Sequence, residues 1–370
     1  MAGIYIHIPF CKKRCIYCDF FSSTHDEYKD AYIEAVCKEM TIRQNYLPNE
    51  TIETVYFGGG TPSQLPAKDF EKIFQTLSLF SLHASPEITL EANPDDMTAA
   101  YINSIRSLPF NRISLGVQSF NDKELAFLNR RHSAETAIHA VKRLQEKGFE
   151  NISIDLMYGL PGQNETGWTA TLNQAKTLSV RHISAYHLIY EENTPLCNSL
   201  QKGLIHPVEE ALSVRLFEIL MDEMADAGFE HYEISNFALP GYRSKHNTSY
   251  WNGTHYLGVG AAAHSYDGTR RQWNVLSIPK YIESPYPENF EVIDKKTAYN
   301  EFIITRLRTK AGVNLDELIL FFGEEKKDYC LRQAQKHIDN KYFERRGNRL
   351  CFTKKGIFIS DGIISDFISI

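Results

Sequence analysis

Six times between residues 4 and 186 a short β-rich run gives way to a stretch of different character, and no other feature of this 370-residue chain narrows its folds so far. The runs are Ile4–Ile8, Thr54–Phe57, Ile88–Glu91, Arg112–Gln118, Ile152–Leu156 and Ile183–Tyr186. Between the first two, Tyr32, Val36 and Met40 recur at helical spacing, and after the second so do Phe70, Ile73, Phe74 and Leu77. Such spacing lines up one apolar helix face. Parallel strands need a long crossover, usually a helix, so strand alternating with helix predicts an α/β fold with a parallel sheet. Six units counted from the N-terminus fit an incomplete barrel or a doubly wound sheet.

A second region starts near Asn193, with Leu212, Leu216, Ile219 and Leu220 on one helix and a Gly/Ala-rich segment at 258–263. From about residue 290 the composition changes: residues 326–355 carry ten Lys/Arg against three Asp/Glu. That tail reads as a small helical module ending in a hairpin and a helix. The chain is thus expected to divide into a core at 1–235, a connecting segment at 236–290 and a C-terminal domain at 291–370. With 43% apolar and 23% charged residues it has the balance of a packed globule. A net charge of −6 argues against a surface devoted to nucleic acid. No run of 18 apolar residues occurs, and Met1–His7 reads as a first strand rather than an export signal, so a cytoplasmic location is expected.

Seven cysteines are present, an odd number in a large chain without an export signal, which argues against a disulfide framework. Cys37, Cys197, Cys330 and Cys351 are scattered. Cys11, Cys15 and Cys18 crowd into a C-x3-C-x2-C loop directly after the first strand. Three thiolates on one loop suit three corners of a 4Fe–4S cubane and leave the fourth iron open. The other reading is a structural zinc ion, with His7 or His25 as the fourth ligand, in a zinc-stabilised interaction protein.

Further polar residues stand at strand ends. Gly58-Gly59-Gly60-Thr61-Pro62 follows the second strand, either to bring backbone close to a ligand or as a tight turn with Thr61 as helix N-cap. Glu91 ends the third strand, Gln118 ends the fourth and Asp155 lies in the fifth. Each is costly to bury without a hydrogen-bond partner. Together they mark the strand ends where α/β barrels keep their sites. Arg130 lies twelve residues beyond Gln118, with Arg131 beside it. His246-Asn247-Thr248-Ser249-Tyr250-Trp251 reads as an axial histidine beside an aromatic wall or as an ordinary hydrogen-bonded loop histidine, and His264 is a weaker second candidate.

The cysteine spacing after a first strand resembles the radical S-adenosylmethionine (SAM) superfamily. The whole chain resembles its branch containing oxygen-independent coproporphyrinogen III oxidase, and most of all the HemW-type haem chaperones. The resemblance implies a partial (β/α)6 TIM-like barrel with a small, mostly helical, winged-helix-like C-terminal domain. It implies a 4Fe–4S cluster on Cys11, Cys15 and Cys18, whose open iron chelates SAM and whose reduction cleaves it to a 5′-deoxyadenosyl radical. It also implies SAM contacts from Tyr5, Tyr17, Gly59, Gly60, Thr61, Glu91, Gln118, Arg130 and Asp155. The glycine segment would meet the SAM amino group and Arg130 its carboxylate. His246, Asn247, Tyr250 and Trp251 match the H-N-x-x-Y-W pattern of the haem chaperones and become haem candidates. Haem would be cargo, delivered to haem-requiring and chiefly respiratory proteins, some of them in membranes. SAM and the cluster would control transfer or oligomeric state, a dimer included. No residue is assigned a catalytic role, and no nucleic acid is expected. The oxidases show a further cysteine where this chain has Phe20, and a longer segment before the cluster loop than the ten residues here. Both differences favour the chaperone over decarboxylation of coproporphyrinogen III to protoporphyrinogen IX.

Overall fold

A computed structural model of the chain describes residues 1–369. One sheet of twelve strands dominates it: β1 (Ala2–Ile8), β2 (Ile52–Gly59), β3 (Leu82–Ala92), β4 (Arg112–Gln118), β5 (Asn151–Tyr158), β6 (His182–His187), β7 (Glu230–Glu233), β8 (Asn236–Ala238), β9 (His255–Val259), β10 (His264–Tyr266), β11 (Arg270–Trp273) and β12 (Asn289–Val292). In space they run β12-β11-β10-β9-β1-β2-β3-β4-β5-β6-β8-β7. β1 to β6 pair in parallel with their sequence neighbours. Helices Lys29–Ile42, Ala67–Leu77, Ala99–Ile105, Ala134–Glu146 and Glu165–Thr177 supply the crossovers. The alternation therefore builds the mixed α/β fold with the parallel core read from the sequence.

The strands alternate between helix-covered and inward faces. Ile4, Ile6 and Ile8 are fully buried in β1, while the residues between them, Tyr5 and His7, turn to the inside of the barrel, where His7 meets Gly59. Across β2, the helix Ala67–Leu77 buries Phe70, Ile73 and Leu77. Phe57, Phe70 and Phe110 meet edge to face at 5.0–5.5 Å. Such pairs add about 0.5–1.5 kcal/mol each beyond area burial. Phe110→Ala would leave a void costing about 3–5 kcal/mol.

The segment expected to connect two domains instead extends the sheet. β9 pairs in parallel with β1, and β10 to β12 follow as an antiparallel flap. Its anchor is polar. Buried Glu39 pairs with Arg43 at 2.9 Å and accepts from Tyr281 Oη at 2.6 Å and from the Gly260 N–H at 2.9 Å. Arg43 reaches Ser265 Oγ at 2.9 Å. Strands of three to five residues held by such non-local bonds carry little periodic signal.

A second core gathers Tyr299, Ile303, Leu318, Ala334, Phe343 and Phe367. Around it lie helices Lys295–Leu307, Leu315–Phe322 and Glu324–Asp339 and a small sheet of β13 (Val313–Asn314), β14 (Phe343–Arg346) and β15 (Arg349–Phe352). This module abuts β7: the Ile234 N–H donates to Arg308 O and the Lys310 N–H to Tyr232 O, both at 3.0 Å. Among the described residues no helix is long and apolar enough to cross a membrane.

Candidate functional site

A cavity of about 390 Å³ opens at the C-terminal ends of the parallel strands. Cys11, Cys15 and Cys18 form part of its wall. Their loop is pinned from several sides. The Cys11 N–H donates to Ser23 O at 2.8 Å, and Leu196 N–H donates to Ile16 O at 3.0 Å. Ile16 and Tyr17 pack against a satellite core of Leu128, Met157, Leu160, Leu188 and Leu196. The thiols are half-buried. Burial pushes the Cys18 thiol up to about 11 and raises that of Cys11. A bound metal ion reverses that preference, because a coordinated thiol loses its proton.

Neither histidine offered as a fourth zinc ligand is placed for that role. His7 shares Nδ1 with Tyr5 Oη at 3.0 Å and Nε2 with Phe21 O at 2.9 Å. His25 lies in solvent beside Glu27. Among the described residues, no three His, Cys, Asp or Glu side chains converge on a point where one ion could sit. A single zinc needs that convergence, whereas a cubane takes one thiolate at each of three separate irons.

The glycine segment passes beneath the cysteine loop. Gly59 has φ +111°, and a Cβ there would lie 2.4 Å from the His7 ring. A Cβ on Gly60 would lie 2.7 Å from the Pro9 carbonyl carbon. Both positions therefore demand glycine for space, and Gly59 for its backbone as well. Thr61 departs from its expected capping role. It precedes a 3₁₀ turn, Pro62–Gln64, but its side chain makes no cap bond. Its Oγ1 instead meets Cys11 Sγ at 3.3 Å and accepts from Asn93 Nδ2 at 3.4 Å.

Glu91 and Asp155 both face the cavity. Glu91 accepts from Tyr56 Oη at 2.6 Å and from the Gly59 N–H at 3.1 Å. Burial, with Asp155 adding repulsion, pushes its carboxyl up to about 7. Burial likewise raises Asp155 to about 6, although Ser184, Arg112 and Arg130 pull the other way. Gln118 lines the same wall with φ +68°, in the left-handed region. That conformation costs a non-glycine residue of order 1–3 kcal/mol and gathers at functional sites. Arg130 donates to Asn93 Oδ1 at 2.6 Å, Gly116 O at 2.5 Å and Cys15 Sγ at 3.3 Å, while its buried Nε has no partner. Its neighbour Arg131 pairs with Asp95 and Asp96 instead.

Tyr17 is in the wall, but Tyr5 is not. It lies a layer below, its ring 6.1 Å from Tyr56 and 6.4 Å from His246. Tyr5, half-buried on the inner face of β1, stands beside Glu91 behind that wall. Sequence reasoning missed Asn93, Ser114, Tyr186 and His187, which also line the cavity. It also missed Arg112, buried with Nε and Nη1 unpartnered, whose charge lowers both raised carboxyls. An arginine opening an otherwise apolar strand was the available signal.

The motif from His246 to Trp251 stands at the opposite, N-terminal end of the barrel. His246 is 1% exposed. Its Nδ1 meets Thr54 Oγ1 at 2.8 Å, its Nε2 meets Tyr250 Oη at 3.0 Å, and its N–H donates to Glu87 Oε1 at 3.1 Å. Burial, then the Arg112 charge, lowers its pKa to about 3. Asn247 N–H donates to the Ser244 cap at 3.2 Å, and Trp251 O accepts from Arg306. The axial-ligand expectation is corrected here: both ring nitrogens are taken, and the helix Lys245–Trp251 seals the barrel floor. His264 is exposed and stacks on Trp273 at 5.8 Å.

Comparison with known proteins matches residues 5–175 to the radical SAM superfamily and residues 293–359 to the HemN C-terminal domain. The chain is 35% identical to the heme chaperone HemW of Lactococcus lactis subsp. lactis, over 98% of this chain and 96% of that one. It is 38% identical to the heme chaperone HemW of Bacillus subtilis, over 85% of each. Among solved structures, coproporphyrinogen III oxidase (HemN) from Escherichia coli superposes over all of this chain and 90% of its own, with a TM-score of 0.85 at 21% identity. That last likeness is one of fold.

Proposed function

The chain belongs to the radical SAM superfamily and, within it, to the HemW family, and from that premise we propose that it is a haem chaperone. It binds haem as cargo, carries a 4Fe–4S cluster with SAM, works in the cytoplasm and hands haem to haem-requiring proteins, respiratory ones foremost. The observation that carries this reading is similarity along nearly the whole chain to proteins named heme chaperones. It is joined to Phe20, exposed beside the cysteine loop where the oxidases of the branch have a cysteine.

In this reading Cys11, Cys15 and Cys18 hold three irons at the cavity wall. Once reduced by an external one-electron donor, the cluster would supply the electron that cleaves bound SAM. The chain's residues bind and orient. Gly59 and Gly60 bring backbone against the ligand where no side chain fits. Glu91 and Asp155, desolvated and facing the cavity, take hydroxyl or ammonium donors, which are worth about 1.5–3 kcal/mol each when charged. Arg130 fixes the loop through Cys15 and brings its positive charge to the cavity wall, where a carboxylate would meet it. Gln118 and Tyr17 complete the wall.

The test is an anaerobic titration of the reconstituted protein with haem, followed in the Soret band. A saturable complex that then loads a haem-free acceptor protein is expected; a linear, unsaturable response sinks the reading. The same preparation given SAM, a strong reductant and coproporphyrinogen III should form no vinyl porphyrin. Product over many turnovers would make it an oxidase.

A further inference from the structure

A second concavity, of about 340 Å³, lies between the barrel edge and the C-terminal module. Its lining is amphipathic. Met221, Phe229, Leu307, Phe352 and Ile357 give it apolar walls from both parts of the chain. Four cations stand round it: Arg308, Lys310, Arg346 and Lys354. Three of them have carboxylate partners, Asp361, Glu344 and Asp222 respectively. Exposed Lys310 pairs with no carboxylate among the described residues. Two acids also line the cleft. Glu230 is held by Arg243 at 2.7 Å. Glu233, 3% exposed, has a buried Oε1 with no hydrogen-bond partner.

These features select a ligand class. Apolar walls with an unspent cation at the rim suit a flat apolar body that carries carboxylates on one edge. A tetrapyrrole with its two propionates has that form. We propose that this interdomain cleft is the haem site, gripping the macrocycle by its propionate edge with Lys310 at the rim. The inference rests on the haem-binding reading above and places the cargo where the sealed floor around His246 does not.

Three consequences follow from the geometry. The cleft is smaller than a whole macrocycle, so the far edge of the ring stays in solvent, where an acceptor can take hold of it. Glu233, whose carboxyl burial pushes up to about 7, keeps its proton below that pH, and its buried Oε1 has no hydrogen-bond partner among the described residues. The one histidine in the lining, His231, is tied to the backbone at Ile234 O (3.2 Å) and stacked on Phe237 at 4.3 Å. Recognition therefore runs through shape and carboxylates rather than through iron, and metal-free protoporphyrin IX binds as haem does.

The test uses the full-length reconstituted protein with haem, protoporphyrin IX and palmitate as probes, read by fluorescence quenching and Soret absorbance. Two exposed positions give variants that leave the fold alone: Lys310→Glu reverses the rim charge, and Ala225→Trp fills the cleft mouth. Each is expected to weaken haem and protoporphyrin IX at least tenfold, with iron content and melting temperature unchanged and Lys310→Arg near wild type. Wild-type affinity in both variants overturns this site while leaving haem binding intact. Palmitate displacing protoporphyrin IX at equal concentration overturns the tetrapyrrole assignment. A wild type that binds neither porphyrin overturns this inference and the chaperone reading together.

Discussion

At the N-terminal end of the barrel His246 hydrogen-bonds Thr54, Tyr250 and Glu87 beneath the stacked rings of Tyr5 and Tyr56. At the C-terminal end Glu91, Asp155, Arg130 and three thiols face a cavity. The two ends draw on similar chemistry, with acids, tyrosines and a histidine or arginine in each. In the floor, both His246 nitrogens have partners. Toward the cavity, the buried Nε of Arg130 has none, two carboxyls are lifted toward neutrality and Gln118 is strained. Raised carboxyls, a strained backbone and an unpaired guanidinium nitrogen on one cavity wall are the pattern of a ligand site, although the floor side also holds a perturbed group in His246 and unpaired nitrogens on Arg112. The difference teaches that a histidine beside aromatics marks a site only if some of its capacity is left over.

The comparison breaks most sharply at the cysteine loop. Cys15→Ser should remove the cluster outright, and with it SAM cleavage. Iron and sulfide analysis with the visible spectrum reads this, and an intact cluster would refute the ligand assignment.

At the floor the expected loss is one of stability. His246→Ala empties a fully buried position and strands Thr54 Oγ1 and Tyr250 Oη, for a cost of about 2–4 kcal/mol in denaturant unfolding. Iron content, SAM affinity and haem affinity should stay near wild type in the folded fraction. Selective loss of haem binding, with stability unchanged, would return His246 to the site and undo the contrast between the two ends.

Within the cavity, Asp155→Ala should weaken SAM by roughly ten- to a hundredfold, the worth of about 1.5–3 kcal/mol from a hydrogen bond to a charged group. Cluster assembly should be nearly untouched, since Asp155 lines the far wall, in β5. An unchanged SAM dissociation constant in calorimetry would take Asp155 out of the wall.

How much of this the sequence could tell depends on the range of the forces involved. The six parallel strands were legible because apolar residues alternate along them with the polar ones that face the barrel interior, and helical stretches separate them. Cys11, Cys15 and Cys18 were legible because their spacing is local. Glu91 and Asp155 stood out as acids among apolar neighbours. The two readings of His246 could not be separated in the sequence because its partner Thr54 is 192 residues away, and no local pattern announces that bond. The β9–β12 flap was taken for a connector because its anchor, Glu39 with Arg43, lies at the end of the first crossover helix and just past it, more than 200 residues earlier in the chain. The interdomain cleft has no local signature at all, since its walls come from residues 221–234 and 307–357.

The smallest expected effect is also the one in which the two ends act with opposite sign. His246 has its folded-state pKa lowered to about 3. The unfolded chain therefore binds the proton more readily, and this group's contribution is present above its ordinary value near 6.5 and lost as pH falls toward 3. Glu91 has its folded-state pKa raised to about 7. The folded chain holds that proton more tightly, so its contribution is present below about 4.5 and lost as pH rises through 7. In the ligand-free protein, replacing Glu91 by Gln should flatten the decline in unfolding free energy between about pH 4.5 and 7, an effect of order 1–3 kcal/mol. Other buried histidines, His7 and His231 among them, tilt the wild-type profile the same way as His246, so only the difference between variant and wild type carries the signal. Profiles that run parallel would mean Glu91 titrates like an exposed carboxyl. The cavity would then be as well satisfied as the floor.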